Sequence, residues 1–530
     1  MSKRFCLLAS FVLTIIGFAS LAAGAQSGRT FYIDYASGSN SNNGTSKTTP
    51  WKTHPYMQAS SACTVTGSAP AYGHQAGDRF IFKGGGSWPA ACFEMSIPAG
   101  GTSSTQDYYG VDQNWFVGSS WSRPVFDLNY TIPGGNHVVY ATSGNPGYMT
   151  FDNFEIKDQL LSAGIYGADD AFNFYNGDMG TIIENVYIHD WATDYNFTGS
   201  TTLPYGAGSV FGYVTLQNST ISDQNGHAYV KGVKLVGSAN GAALGGACQN
   251  CKEVKNTTIH DTLAACFTVQ YCHDNNFYNI YQGTASSASA TSVANTVGAH
   301  TQVIEDDNPC GASTSTGGFV VYNNAVHDNL SGVNIFEKYN SYIFNNVLWN
   351  NGNNYGIRLC LPGASYDSGS AGYIYNNTVD CSAGSGCLSP GGSGYNGAGT
   401  LIVRNNLWIT DGTPTCFGGS CSTIATLVMD HNYTMPTSEA SRYGFTPADL
   451  YYPSSSDSKV AAAGSNLASQ CSGNMVSLCK DPRGAFWYGG SYENRPAAGS
   501  GNWDIGSYEF AQQSSSAQLD APSGLIATFQ

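Results

Sequence analysis

The stretch Asn185-Val-Tyr-Ile-His-Asp190 decides how this chain folds, because it keeps returning. Its relatives are Asn153-Phe-Glu-Ile156, Asn218-Ser-Thr-Ile-Ser-Asp223 and Asn256-Thr-Thr-Ile-His-Asp261. Later come Asn324-Ala-Val-His-Asp328 (one residue shorter), Asn346-Val-Leu-Trp-Asn350, Asn377-Thr-Val-Asp380 and Asn406-Leu-Trp-Ile-Thr-Asp411. Successive Asn residues lie 32, 33, 38, 68, 22, 31 and 29 apart. A period of about 20–35 residues marks one supersecondary unit stacked on the next. Asn tolerates the left-handed backbone of a tight turn, and stacked Asn side chains can hydrogen-bond as a ladder. The apolar residue three positions on is expected to point inward. The Asn residues therefore read as turn builders. The pairs His189-Asp190, His260-Asp261 and His327-Asp328 recur at one place in the repeat and read as turn elements too.

Working outward, the composition agrees with strands and turns. The 530 residues include 64 Gly and 34 Tyr, with abundant Asn, Ser and Thr, which favour strands and turns over helices. A solenoid escapes the size limit of a compact domain, because each repeat packs only on its neighbours. Only 11% of residues are charged and the formal charge is −15. An acidic chain without a Lys/Arg cluster is no nucleic-acid binder, since phosphate contacts need cations. Low charge with many aromatics suits hydroxyl-rich ligands.

Lys3-Arg4, the apolar run Cys6 to Leu21 and the small residues Ala23-Gly24-Ala25 read as a secretory signal over 1–25. No later stretch is long and apolar enough to span a membrane. The mature chain is expected to be soluble, a monomer, and secreted, extracellular or periplasmic. Without Cys6, fourteen Cys remain, an even number that reads as disulfides in an oxidising compartment. Cys381/Cys387, Cys416/Cys421 and Cys471/Cys479 are close enough to staple loops. Cys248-x-x-Cys251 with Cys266, Cys272 and His273 has the outline of a zinc site, but export favours disulfides.

Two further segments carry a resemblance. The first is Phe31-Tyr-Ile-Asp34, Asn43-Gly44-Thr45, Pro50-Trp51-Lys52-Thr53, Gly77-Asp78 and Phe82-Lys83-Gly84-Gly85. It resembles the N-terminal signature of secreted right-handed parallel β-helix proteins of the pectate-lyase-like superfamily. The second, Arg495-Pro496 with Asp504-Ile-Gly506-Ser-Tyr508-Glu509, is similar to the closing motif of that group. The resemblance implies an all-β chain: a right-handed parallel β-helix solenoid with an N-terminal cap and an irregular C-terminal closing region. It divides the chain into the leader at 1–25, a cap region at 26–125, the helix at 126–430 and the closing region at 431–511. Residues 512–530 read as a linker and the start of a fibronectin type III-like module. The group contains polysaccharide lyases, glycoside hydrolases and proteins of other roles, so the fold leaves activity open. Asp169-Asp170 matches the double Asp of polygalacturonase-type hydrolases. However, Asn225-Gly226-His227-Ala228 stands where Gly-His-Gly is expected, and no Arg-Ile-Lys occurs.

Candidate chemistry falls on the strands that follow the Asn turns. In Gly332-Val-Asn334-Ile-Phe-Glu337-Lys338 and Tyr355-Gly-Ile-Arg358-Leu-Cys360, period two turns Val333, Ile335, Ile357 and Leu359 inward. Asn334 and Arg358 are then expected as neighbours on one outer face, with Lys338 and Lys231 nearby. Lysis of a uronate polymer needs a cation or Ca²⁺ on the carboxylate, a base for the C5 proton and an acid for the leaving oxygen. Lys231, Arg358, His300, His227 and Lys338 are the catalytic candidates, because a depressed pKa makes such groups bases. Asn334, Glu337 and Tyr355 are the substrate-binding candidates. Glu305, Asp306 and Asp307 offer oxygen ligands to Ca²⁺, the one cofactor expected, or a carboxylate pair to a hydrolase. The expected function is a polysaccharide lyase acting on an extracellular anionic polysaccharide by β-elimination. The alternatives are a non-catalytic glycan-binding or adhesion protein and, third, a glycoside hydrolase.

Overall fold

The computed structural model describes residues 28–510, leaving out 65–66, 132–133, 136, 142–145, 162–169, 175–179, 191, 194–209, 213, 223–247, 250, 261–264, 281–301, 306–317, 330–332, 339, 353–354, 361–370, 385, 391–398, 415–423, 425 and 455–458. The leader, the linker and the fibronectin-like start lie outside the described residues, as do Cys416 and Cys421.

Three long sheets run the length of the molecule. Sheet 1 has thirteen strands from Thr30–Ile33 to Thr426–Asp430, and sheet 2 has thirteen from Ser87–Pro89 to Tyr433–Met435. Sheet 3 has ten, from Met95–Ile97 to Gly386–Pro390. One coil shows the path: Ile182–Glu184 in sheet 1, Tyr187–His189 in sheet 2, Val210–Gly212 in sheet 3, then Thr215–Gln217 back in sheet 1. Neighbouring coils pair in parallel, as in Ile183 with Leu216 and Ile188 with Ile221. The chain is a parallel β-helix. Residues 30–116 already supply five strands to these sheets, so stacking starts at the first described strand.

The N-terminal signature has a packing explanation. Phe31 stacks on Trp51 at 4.5 Å. Gly44 sits on the indole with φ +72°, where a Cβ would lie 2.5 Å from a ring atom, so only glycine fits. Lys83 binds Asp34 at 2.8 Å across the first two coils.

The recurring Asn phrase divides into two columns. Asn153, Asn185, Asn218 and Asn256 have positive φ, as expected of the turn residue. Later the left-handed residue is the one before: Asn323, Asn345, Asn376 and Asn405. Asn324, Asn346, Asn377 and Asn406 occupy the next position, where Phe154, Val186, Ser219 and Thr257 stand in earlier coils. This offset explains the phrase that looked one residue short. These later Asn residues point inward as a ladder. Asn275 Nδ2 donates to Asn324 Oδ1 (3.0 Å), Asn324 to Asn346 (3.0 Å), Asn346 to Asn377 (3.0 Å), Asn377 to Asn406 (2.9 Å) and Asn406 to Asn432 (2.9 Å). The ladder also exposes a coil hidden in the longest Asn interval. It runs through Tyr271–His273 and Asn276–Tyr278, with Asp274 as its left-handed residue.

Inside the helix, one register column of sheet 1 is aromatic at the start and aliphatic later. Phe80, Tyr109 and Phe151 stack at 5.0 and 4.7 Å. Ile183, Leu216 and Val254 follow, and Val321, Ile343, Ile374 and Val403 come after Cys272. The apolar residues of the phrase (Ile156, Ile188, Ile221, Ile259) are buried as expected.

The closing region lies on the turn column. Asn345 Nδ2 donates to Lys480 O (2.7 Å), Asn376 Nδ2 to Gly506 O (3.1 Å) and Asn405 Nδ2 to Ser465 O (2.8 Å). Arg495 pairs with Glu509 and donates to Asn345 Oδ1 at 3.1 Å. Ser507 Oγ donates to Asn346 O at 2.7 Å. The closing motif is thus a clamp on left-handed turns. Disulfides join Cys63–Cys92, Cys248–Cys251, Cys381–Cys387 and Cys471–Cys479.

Candidate functional site

The closing region narrows the choice of face. Leu467, Met475, Leu478 and Trp503 pack with Val320, Phe344 and Tyr375 of sheet 1. Phe445, Tyr451, Trp487 and Tyr508 pack with Ala325, Trp349 and Ile409 of sheet 2. In this half of the molecule sheet 3 has its own small cluster, Val333 and Phe336 with Tyr355, joined by no closing residue among those described.

Register fixes the order of side chains on sheet 3. Ile304, Ile335, Ile357 and Leu388 align inward. The next position aligns Phe267, Glu305, Phe336, Arg358 and Ser389, one per coil. Arg358 is therefore the neighbour of Phe336, not of Asn334 as alternation alone suggests. Its guanidinium carbon lies 4.8 Å from the Phe336 ring centre. Burial pulls its pKa below the ordinary value, yet a guanidinium remains charged. Its Nε is buried without a hydrogen-bond partner among the described residues. Arg404 and Arg483, by contrast, are each held by a carboxylate.

Two binding candidates are enclosed. Asn334 is 4% exposed, and its Nδ2 donates to the Tyr355 carbonyl at 3.5 Å. The strand does not alternate regularly at its start. Val333 joins the outer cluster, and the Gly356 Cβ direction meets the core residue Val379 at 2.5 Å. Glu337 is 1% exposed and pairs in register with the core residue Leu359. The expectation of Glu337 on the polymer-facing side is corrected: period two from Ile335 turns it inward. Its carboxyl is pushed well above the ordinary range by burial, with Cys272 and Glu305 adding to the shift.

Tyr355 is half-buried beside Val333 and Phe336. Lys338 pairs in register with Cys360. His227, Lys231, His300, Asp306 and Asp307 lie outside the described residues. Glu305 is buried in the outer row. Among the described residues no three His, Cys, Asp or Glu side chains stand together to hold a metal ion. The zinc outline fails for Cys248 and Cys251, which are joined to each other, while His273 is held by Asp274 (2.7 Å) and Glu253 (3.1 Å).

Sequence reasoning missed a group at the other end of sheet 3. Ser96, Tyr140 and Asn173 align on three successive coils, with Glu94, His137 and Asp170 beside them. Asn173 Nδ2 donates to Asp170 Oδ2 at 2.6 Å, and His137 Nδ1 faces that oxygen at 3.7 Å. Tyr140 stacks on His137 at 5.0 Å. Burial lowers the His137 pKa to about 4. Burial raises that of Glu94, against hydrogen bonds from Ser96 Oγ and the His137 amide. Gly135 makes room for Glu94, since a Cβ there would lie 2.4 Å from Oε2. Only Asp170 had a sequence signal, the double Asp. The three residues are 94, 137 and 170, and no local pattern links them.

The His-Asp pairs are structural in this arrangement. His189 is bound by Asp190 (2.8 Å) and Glu155 (3.3 Å), and His327 by Asp328 (2.6 Å). His260, Tyr278, His327 and Trp349 stack along sheet 2 at 4.7, 5.3 and 4.2 Å.

No protein-family model and no curated protein sequence matches the chain. Solved structures do. The GH136 lacto-N-biosidase from Eubacterium ramulus matches with 11% identity and a TM-score of 0.40, over 77% of this chain and 68% of that one. Pectate lyase Pel9A matches with 14% identity and a TM-score of 0.36, over 92% and 98%. A rhamnogalacturonan lyase matches with 14% identity and a TM-score of 0.40, over 76% and 87%. At these values the matches carry no argument about activity, and the fold rests on the parallel register of the three sheets.

Proposed function

We propose that this is a secreted carbohydrate-active protein that holds an anionic, uronate-containing polysaccharide along the outer face of sheet 3 and cleaves it by β-elimination. Arg358 carries the reading. It is a charged, half-buried guanidinium with no carboxylate bound to it among the described residues, set beside the aromatic rings of Phe336 and Tyr355. A fork of N–H donors suits a sugar carboxylate, and neutralising that group acidifies the neighbouring C–H proton. Aromatic rings offer flat contact area to sugar faces. His227, Lys231, His300 and Lys338 are the bases to test. The first three belong to segments 223–247 and 281–301, which join sheet 2 to sheet 3. Glu305, Asp306 and Asp307 are the ligand set proposed for Ca²⁺, which prefers oxygen donors. Chelation by EDTA and readdition of Ca²⁺ checks that element.

A panel of uronate polymers tests the reading through the ultraviolet absorbance of the unsaturated product. Arg358→Ala should cut that rate by about 100-fold or more, the usual scale for one lost charge-stabilising donor. Retention of a polymer without cleavage would instead make the protein a glycan-binding one. A second reading, glycoside hydrolysis, is favoured by one observation: burial raises the pKa of Glu94 above the ordinary carboxyl value, as suits a general acid, near the Asp170–His137 pair. New reducing ends without absorbance, lost in Glu94→Gln and kept in Arg358→Ala, would select it.

A further inference from the structure

Two buried cysteines stand side by side inside the helix. Cys266, on sheet 3, and Cys272, on sheet 1, are both fully buried, and their sulfurs are 2.6 Å apart. That is closer than two unbonded sulfur atoms pack. Cys266 ends the coil that the Asn256 phrase marks, and Cys272 begins the coil that the phrase did not reveal, with Val254 and its register partner Cys272 only 18 residues apart. Cys266 stacks in register on Cys248, which is itself bonded to Cys251. Cys381–Cys387 shows that this chain already closes six-residue intervals between a sheet 2 corner and sheet 3.

We propose that Cys266 and Cys272 are joined by a disulfide in the mature protein, a cross-link inside the helix that ties the sheet 3 strand of one coil to the sheet 1 strand that begins the next. The step is an exchange with an external disulfide, either a thiol–disulfide oxidoreductase or a small-molecule disulfide. One cysteine thiolate attacks the external disulfide and releases one thiol. The second cysteine then displaces the other, so two protein thiols are oxidised, two external thiols form and both protons stay with the products. Exchange needs a thiolate. In the folded helix, burial, with Cys272 and Glu337 adding to it, pushes the Cys266 thiol well above its ordinary pKa. Phe267, next to Cys266, stands in the outer row of sheet 3 beside Glu305, so the cross-link also fixes the strand that carries this part of the row. The inference is independent of the reaction proposed above.

The test uses the full chain exported to an oxidising compartment, denatured without reductant and treated with iodoacetamide. Chymotryptic cleavage after Phe267 and Tyr271 separates the two cysteines unless they are bonded. The expected result is a single unlabelled mass that splits into two peptides on reduction. In Cys272→Ser the peptide of Cys266 should then carry one label. Alkyl label on both residues of the unreduced wild-type chain overturns the proposal, as does a link from either one to Cys310 or any other cysteine.

Discussion

The two halves of the solenoid solve one turn in different ways. In coils before about residue 220, the position after the left-handed Asn is apolar, Phe154 and then Val186, and joins an aromatic-rich core. From Asn275 onward the same position is Asn, and six amides bond in line from Asn275 to Asn432. Ser219 and Thr257 mark the change: the Val186 amide donates to Ser219 Oγ at 3.2 Å, and the Thr257 amide donates to Asn275 Oδ1 at 3.0 Å. The outward side chains differ in step. Asn153 and Asn185 bind Asp152 at 2.6 and 2.7 Å, whereas Asn345, Asn376 and Asn405 hold the closing region. Where a second layer of chain must dock, the turn presents amides outward and a rigid ladder inward. Elsewhere apolar packing suffices.

This contrast can be broken experimentally. Asn377→Ala should have the largest effect. It strands several buried groups on Asn346 and Asn406, each costing about 1–3 kcal/mol, for a loss of about 3–5 kcal/mol. A fall in the urea midpoint by circular dichroism checks it, and a near-neutral result would show that the ladder adds little. Phe154→Ala, at the equivalent position of the first half, should cost about 3–4 kcal/mol through cavity formation alone. Refilling separates the two causes, since the loss at Phe154 should be largely regained when the cavity is refilled as Phe154→Leu. Asn153→Ala should cost about 1 kcal/mol, because its φ of +65° is the left-handed region that a Cβ residue resists. Asn153→Gly should be close to neutral in the same assay.

The smallest effect is on pH. Burial opposes the charge on His189, but Glu155 and Asp190 outweigh it and raise its pKa above the ordinary 6.5. His273 is raised in the same way by Asp274 and Glu253. A raised histidine stabilises the fold fully below 6.5 and loses that contribution as pH climbs through the folded value. Glu253 runs the other way. Burial opposes its charge, but His273 and Lys255 hold its pKa at about 2, so its contribution is lost as pH falls from the ordinary 4.5 toward 2. Thermal melts should therefore peak between these windows. Replacing His189 and His273 by Gln should flatten the alkaline limb.

The period, the strand character and the identity of the turn residue are legible in the residues alone. Asn tolerates the left-handed backbone better than other residues with a Cβ, and its return counts coils. The hidden coil escaped because Asp274 serves as its turn residue. The enclosure of Glu337 follows from period two counted from Ile335, once register shows which side Ile335 takes. The grouping of Glu94, His137 and Asp170 was not legible at all, because the coils that bring them together differ in length.

By itself, then, the sequence determined a stack of parallel coils, written in turn residues and inward apolar residues whose backbone and packing needs are local. Tertiary structure decided the rest: the one-residue offset of the ladder, the pairing of Arg358 with Phe336, and which face the closing region leaves to sheet 3. The physical reason is that register between coils is set by hydrogen bonds across segments of unequal length. No single segment encodes that alignment.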